Sequence, residues 1–268
     1  MNKLIKLVDQ EKGIMQVTTV DERWYCKDIM DVATGLPISH LFVPSSTWIC
    51  GYYPKGMEYH RWLASKGWDK AEEIKNAAGD KGTKVHKALE AIFDGQTIDI
   101  DECLPDSEGN ITPITMEEWE CISSGVAWAN ARQPKSIRGE FVVFNEKDGY
   151  AGTVDRLFEI DGEIWIVDFK TSKNIWAEHK LQLSSYKHAM METDPKAKDY
   201  KMMALQVGYK LNRAGYKENI IPDKYDKFLA VRQIWEEENP NEKPKQRDYP
   251  LELKYEPKKV EQAVNQSE

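Results

Sequence analysis

Asp155, Asp168 and Lys170 lie in a stretch where strand pairing would bring their charges together. Asp161-Gly162 separates two runs rich in β-branched and aromatic residues, the pattern of a two-residue hairpin turn. A turn there sets Ile160 opposite Glu163 and, further along the ladder, Asp155 opposite Asp168. Facing side chains have Cβ atoms about 4.5–5.5 Å apart. Alternation with period two puts Lys170 on the same face as Asp168. Facing like charges destabilise a sheet unless something offsets them. A divalent cation does so, because carboxylate oxygens are natural ligands for hard cations. These residues predict a metal site with an ammonium group beside it.

A further acid can be placed by the preceding strand. If the loop Glu146-Lys147-Asp148-Gly149 joins strand 140–145 to strand 150–160, Asn145 faces Tyr150 and Glu140 falls opposite Asp155. Acids would then form a row across three strands. A turn centred on Asp148-Gly149 would shift that register and break the row, and the spacing alone leaves both readings open.

The surrounding elements follow from periodicity. Residues 1–50 read as irregular structure and short strands. Trp62 to Phe93 reads as helical, with Val85, Leu89, Ile92 and Phe93 in an apolar stripe and His86 and Glu90 at its edge. Gly82-Thr83 could start or bend that helix. Residues 95–115 carry turn formers and acids and read as a loop. Helices are expected over Met116 to Ala131, Trp176 to Met191 and Asp223 to Glu238, and a strand over Lys201 to Lys210. Gln182 and Tyr186 stand one turn apart on one helix face. From residue 239 the chain turns polar and proline-containing, so residues 239–268 read as a tail attached to a domain of residues 1–238. The order predicts an α/β fold, a mixed central β-sheet flanked by helices.

Composition excludes some classes. The chain has 268 residues and a formal net charge of −8, the wrong sign for a protein that coats nucleic acid indiscriminately. An acidic balance does not exclude an enzyme with a local basic groove. No run of about 18 apolar residues predicts a transmembrane helix, and the first residues lack a long apolar segment, so a cytoplasmic setting is expected. Cys26, Cys50, Cys103 and Cys121 are scattered without a CxxC pair. They read as buried thiols rather than metal ligands.

Four motifs in order resemble the RecB-like exonuclease branch of the PD-(D/E)XK nuclease superfamily, which includes mitochondrial genome maintenance exonucleases and many phage exonucleases. They are Gly82-Thr83-Lys84-Val85-His86, Tyr150-Ala151-Gly152-Thr153-Val154-Asp155, Ile166-Val167-Asp168-Phe169-Lys170-Thr171-Ser172 and Gln182-Leu183-Ser184-Ser185-Tyr186. Pro44-Ser45-Ser46-Thr47 resembles a family loop near bound DNA. The likeness covers about residues 40–210.

The resemblance implies a restriction-endonuclease-like core and a metal-dependent DNA exonuclease of recombination, repair or replication, as in phage-encoded enzymes acting in the host cytoplasm. Asp155, Asp168, the Phe169 carbonyl and His86 would hold one or two Mg²⁺ or Mn²⁺ ions, the imidazole favouring Mn²⁺. Lys170 would orient or activate the attacking water and offset phosphate charge. Glu140 matches an upstream family acid counted with the catalytic residues. Gln182, Tyr186, Ser45, Ser46, Thr47 and Lys173 would contact DNA that has a free end, with Lys84, Lys87 and Lys180 as further phosphate candidates. The family's iron–sulfur branch carries a C-terminal cysteine cluster, and no cysteine follows Cys121, so no iron–sulfur cluster is expected. Two alternatives stand beside this reading: a structure-selective endonuclease or flap nuclease, and an inactive DNA-binding module of the same fold. Strand preference, polarity and any helicase, single-strand-binding or recombination partner are left open by the sequence.

Overall fold

The first fifty residues are more regular than their sequence suggests. The computed structural model describes residues 4–19, 22–30, 34, 37–241, 243–245 and 254. Strands β1 (Leu4–Asp9), β2 (Ile14–Thr18), β3 (Arg23–Met30) and β4 (Pro37–Pro44) form an antiparallel sheet in that order. Period-two alternation sends Trp24 and Tyr25 to opposite faces, where each is buried in a different apolar cluster. Ser45 then caps α1 (Ser46–Gly51), its hydroxyl accepting from the Trp48 N–H at 3.1 Å.

The helix expected over Trp62 to Phe93 is two helices, α2 (Met57–Lys66) and α3 (Trp68–Phe93). They part at Gly67, whose φ of 76° no ordinary side chain adopts cheaply. Helix α3 runs through Gly82-Thr83 rather than starting there. The stretch expected as a loop holds a small hairpin, β5 (Cys103–Pro105) and β6 (Ile111–Pro113). Asp106 organises its turn by accepting from the N–H groups of Glu108 and Asn110. Cys103 is exposed, against the expectation of burial, while Cys26, Cys50 and Cys121 are buried. Helix α4 (Met116–Arg132) begins with a capping box between Thr115 and Glu118. Gly125 of α4 admits Leu89 of α3, since a Cβ there would stand 2.6 Å from Leu89 Cδ2.

The next strands are β7 (Lys135–Arg138), β8 (Phe141–Asn145), β9 (Tyr150–Val154), β10 (Arg156–Ile160) and β11 (Glu163–Lys170). The expected hairpin register occurs, with Ile160 facing Glu163, and of the two readings open for the preceding strand the chain adopts the one with Asn145 facing Tyr150. Asp161 and Gly162 make the first turn with φ of 54° and 80°. The single strand expected over 150–160 is, however, broken at Asp155. On one side β9 pairs with β8 as a separate ribbon; on the other β10 enters a larger sheet. The row of acids therefore does not lie across one continuous sheet.

Helix α5 (Ala177–Met191) connects β11 to the parallel strand β12 (Lys201–Val207). Then come β13 (Tyr216–Ile220), absent from the sequence expectation, and α6 (Tyr225–Glu238). The central sheet is mixed, in the order β13-β12-β11-β10-β7. Along β11, Trp165, Val167 and Phe169 are buried toward α3 and α4, whereas Ile166 is buried with residues of α1, α5 and α6. Trp24, Trp48 and Trp235 meet edge to face with centroids 5.0–5.8 Å apart and join β3, α1 and α6. This is the expected α/β architecture, a mixed sheet covered by helices on both faces. Most of the predicted tail, residues 239–268, lies outside the described residues. Among the described residues no helix is long and apolar enough to cross a membrane.

Gly208, just after β12, has φ of 71°, and a Cβ there would stand 2.4 Å from Cys121 Sγ. Gly208→Ala should lower unfolding stability by about 1–3 kcal/mol in denaturant melts. Adding Cys121→Ala should return the steric part of that loss and leave about 1–2 kcal/mol of left-handed backbone strain. Strictly additive losses would refute the contact.

Candidate active site

The break at Asp155 is made by the Asp155 side chain. Its Oδ2 accepts the Phe169 N–H at 2.8 Å, taking a backbone donor of β11 at the end of the β10–β11 ladder. The same oxygen lies 3.2 Å from His86 Nδ1, delivered by α3 from the other layer. Two residues along β11 from Asp168, on the same face, Lys170 Nζ lies 2.6 Å from Asp168 Oδ2. Asp168 is 2 % exposed. Apart from that ammonium, its Oδ2 has no hydrogen-bond partner.

These groups alter one another's protonation. Burial works against ionisation of Asp155, but His86, Lys170 and the Phe169 N–H together hold its carboxyl below the usual range. Burial dominates at Asp168 and, with the nearby Asp155 charge, raises it to about 6 despite Lys170. His86 and Lys170 are both desolvated, which would discharge them, yet the aspartates outweigh burial and raise both. The two aspartates differ because Asp155 has several donors and Asp168 essentially one. Glu140 follows Asp155 in the ribbon register and feels it: crowding, then Glu90, then Asp155 raise its carboxyl.

Helix α5 supplies a second layer. Gln182 accepts from Lys170 Nζ at 3.3 Å and donates to Tyr186 Oη at 2.6 Å and to Thr47 Oγ1 at 3.2 Å. Gln182 thus links the ammonium group to the start of α1. Tyr186 is buried against Gly152, where a Cβ would come within 2.3 Å of its ring. That close approach explains the glycine in Tyr150-Ala151-Gly152.

The remaining expected residues divide. Thr47 and Lys173 are exposed and can meet a ligand. Ser45 and Ser46 are buried, Ser45 as the cap of α1 and Ser46 against the Ser185 hydroxyl, so both serve the loop's position and not its surface. Lys84 is also buried, 3.2 Å from Glu118 and donating to the Pro113 carbonyl, and is a strut between α3 and α4 rather than a phosphate contact. Two residues escaped the sequence reading. Arg156 is 1 % exposed and donates to Asp94, Ser136 and the Glu90 carbonyl, fixing α3 on β10 beside the site. A lone charge in the apolar run after Asp155 was its only signal. His179 accepts the Trp176 N–H through Nδ1 at 3.4 Å, and no spacing marked it.

The donors suit a hard divalent cation in kind: two carboxylates, one with a buried oxygen held only by the Lys170 ammonium among the described residues, beside an imidazole. Among the described residues no group of three His, Cys, Asp or Glu side chains stands gathered as a metal cage. Each aspartate is instead drawn to its own cation, Asp155 to His86 and Asp168 to Lys170.

Burial, with Lys170 and Lys55 nearby, pushes His179 down to about 3. Its folded value lies below its unfolded one, so it contributes stability present above about pH 6.5 and lost as pH falls toward 3. His179→Gln should therefore lose less stability than the parent chain between pH 6.5 and 4 in paired thermal melts. Equal losses would show that His179 is protonated in the fold.

The comparisons with known proteins agree with this geometry. No curated protein matches the chain. The family model of the PD-(D/E)XK nuclease superfamily matches residues 57–266, most of the chain's length and all the residues just placed around β11 and α3. The chain belongs to the PD-(D/E)XK nuclease superfamily.

Proposed function

We propose that this nuclease is a divalent-metal-dependent DNA exonuclease of the RecB-like branch, without an iron–sulfur cluster, working in recombination, repair or replication. One observation carries the reading: Asp155, Asp168 and Lys170 meet where the chain leaves the central sheet, with His86 against Asp155. His86, Asp155, Asp168 and the Phe169 carbonyl would hold Mg²⁺ or Mn²⁺. The bound ion would lower the pKa of a coordinated water and polarise a phosphoryl oxygen.

The chain's own residues supply the rest. Asp168 and Asp155 favour the charged form of Lys170 against burial, so its ammonium would orient or activate the attacking water and offset phosphate charge. Gln182 fixes that ammonium from α5, and Tyr186 fixes Gln182. Thr47, Gln182 and Lys173 face the substrate strand, while Ser45 and Ser46 set the α1 loop. Glu140 adds negative charge beside Asp155 and tunes the acid cluster. Among the described residues no element suggests reading of base edges, so cleavage would follow the backbone and be weakly sequence-dependent.

Digestion of end-labelled DNA with Mg²⁺, with Mn²⁺ and with a chelator tests the reading. Asp168→Ala and Lys170→Ala should each lower cleavage roughly 10²-fold or more while far-ultraviolet circular dichroism stays unchanged. Wild-type rates in both variants would sink the catalytic assignment. Circular single-stranded DNA should stay uncut while linear DNA is degraded; cutting of circles would make the enzyme an endonuclease with the same centre.

A further inference from the structure

A cleft of about 820 Å³ opens directly beyond the proposed catalytic lysine. Its near end is Thr171-Ser172, the residues that follow Lys170. Its floor is Gln206, the partner of Lys170 in the parallel β11–β12 register. Gln206 is 3 % exposed and donates to the Ser172 and Lys173 carbonyls at 3.0 and 3.1 Å. Asn219 of β13 donates in turn to the Gln206 side-chain oxygen Oε1 at 3.0 Å. The cleft floor and the backbone beyond Lys170 are thus tied into one hydrogen-bonded unit.

The lining reverses the sign of the molecule. Lys81, Lys173, Lys180, Lys210 and Lys217 face it against Glu117 and Glu120, in a chain whose formal net charge is −8. Lys81 pairs with Glu117 at 2.9 Å, and Lys210 approaches Glu120 only to 3.9 Å. Among the described residues Lys173, Lys180 and Lys217 make no ion pair. They also come from different walls, Lys173 and Lys180 from the β11–α5 side and Lys217 from β13. Between them stand apolar groups: Leu211 is 81 % and Ile220 70 % exposed, and Tyr209 has Lys217 Nζ 5.4 Å from its ring centroid.

We infer that this cleft carries the single-stranded DNA adjoining the scissile bond, phosphates on the lysines and unpaired bases on Tyr209, Leu211 and Ile220. The inference rests on the nuclease reading and adds to it the substrate's strand state and its path. Opposed lysines alone would suit any polyanion. The exposed Leu211 and Ile220 and the half-buried Tyr209 among them suit bases that have lost their partners, the combination found in grooves for single strands. A duplex offers the same walls phosphates and sugars but no free base faces. The cleft's continuity with Thr171-Ser172 puts this strand in line with the reacting phosphate.

The test measures binding of a fluorescein-labelled thirty-nucleotide oligothymidylate by anisotropy, in chelator, so that no cleavage is needed. Lys210→Gln/Lys217→Gln should weaken binding about tenfold or more and reduce the slope of log K against log salt by about 1.4, for two lost contacts to a single strand. Tyr209→Ala should weaken binding roughly fivefold or more with the slope unchanged. Affinity for a blunt thirty-base-pair duplex should change much less in both variants. Hydrolysis of bis(p-nitrophenyl) phosphate, which reaches only the catalytic centre, should be the same in the lysine variant as in the parent. Unchanged oligonucleotide affinity and slope would overturn the cleft assignment, and an equal loss on duplex would overturn its single-strand character. If no DNA is cleaved by the parent chain while these binding effects appear, the nuclease reading falls and the cleft stands.

Discussion

One hydrogen bond decides how the chain is arranged around its acids: the Phe169 N–H donated to Asp155 Oδ2 at 2.8 Å. Had that donor met a backbone carbonyl, the β10–β11 ladder would have continued, and residues 150–160 would have formed the one long strand their sequence suggests. A carboxylate in its place ends the ladder. The chain can then leave the sheet, and β9 pairs with β8 beneath the N-terminal sheet, where Tyr25 Oη meets Thr153 Oγ1 at 2.8 Å. A charge-assisted bond of this kind contributes about 1.5–3 kcal/mol, enough to offset one lost backbone pairing. The result is an anionic group fixed at a sheet's end, within reach of α3.

That fixation accounts for the unequal aspartates. Asp155 is satisfied by a backbone donor, by His86 and by the field of Lys170, so it ionises readily. Asp168 sits deeper with Lys170 as its sole close partner, and burial lifts it. Carboxylates pushed apart in this way commonly mark groups with distinct tasks. The same fields favour the charged forms of Lys170 and His86, so each aspartate is drawn to its own cation. Those pairs explain why two acids and an imidazole lie together without being gathered into a ready metal cage.

The centre of this arrangement was legible in the sequence because turns have local chemistry. Asp161-Gly162 fixed one register and period two placed Lys170 beside Asp168, while the second register has two readings in the sequence, of which the chain adopts the one with Asn145 facing Tyr150. The strand break was not legible, because period and propensity run unchanged through Asp155; only a side chain competing with the backbone stops the strand. Strand β13 was hidden for a different reason. Its residues Tyr216–Ile220 are half exposed at a sheet edge and show little alternation. The α1 loop reads in sequence as a DNA-facing surface because capping and contact both favour serine, whereas Ser45 and Ser46 are buried. Lys84 shows the same ambiguity: a lysine one turn from the site is written alike whether it reaches solvent or braces two helices.

Charge shows the widest gap between the whole and the part. A balance of −8 argues against a general affinity for nucleic acid, and it is correct as a statement about the distant field. Salt screens that field over about 8–10 Å, so a strand already near the site responds to what lies within that range. Lys170 and the cleft lysines border its track, whereas Glu72 and Glu163, paired with Lys75 and Lys201, do not line it. In the proposed reading such a surface repels polyanions broadly and accepts them along the cleft. For a nuclease, weak general attraction with a local basic path is the physically favourable division, since tight binding everywhere would hold the product as firmly as the substrate.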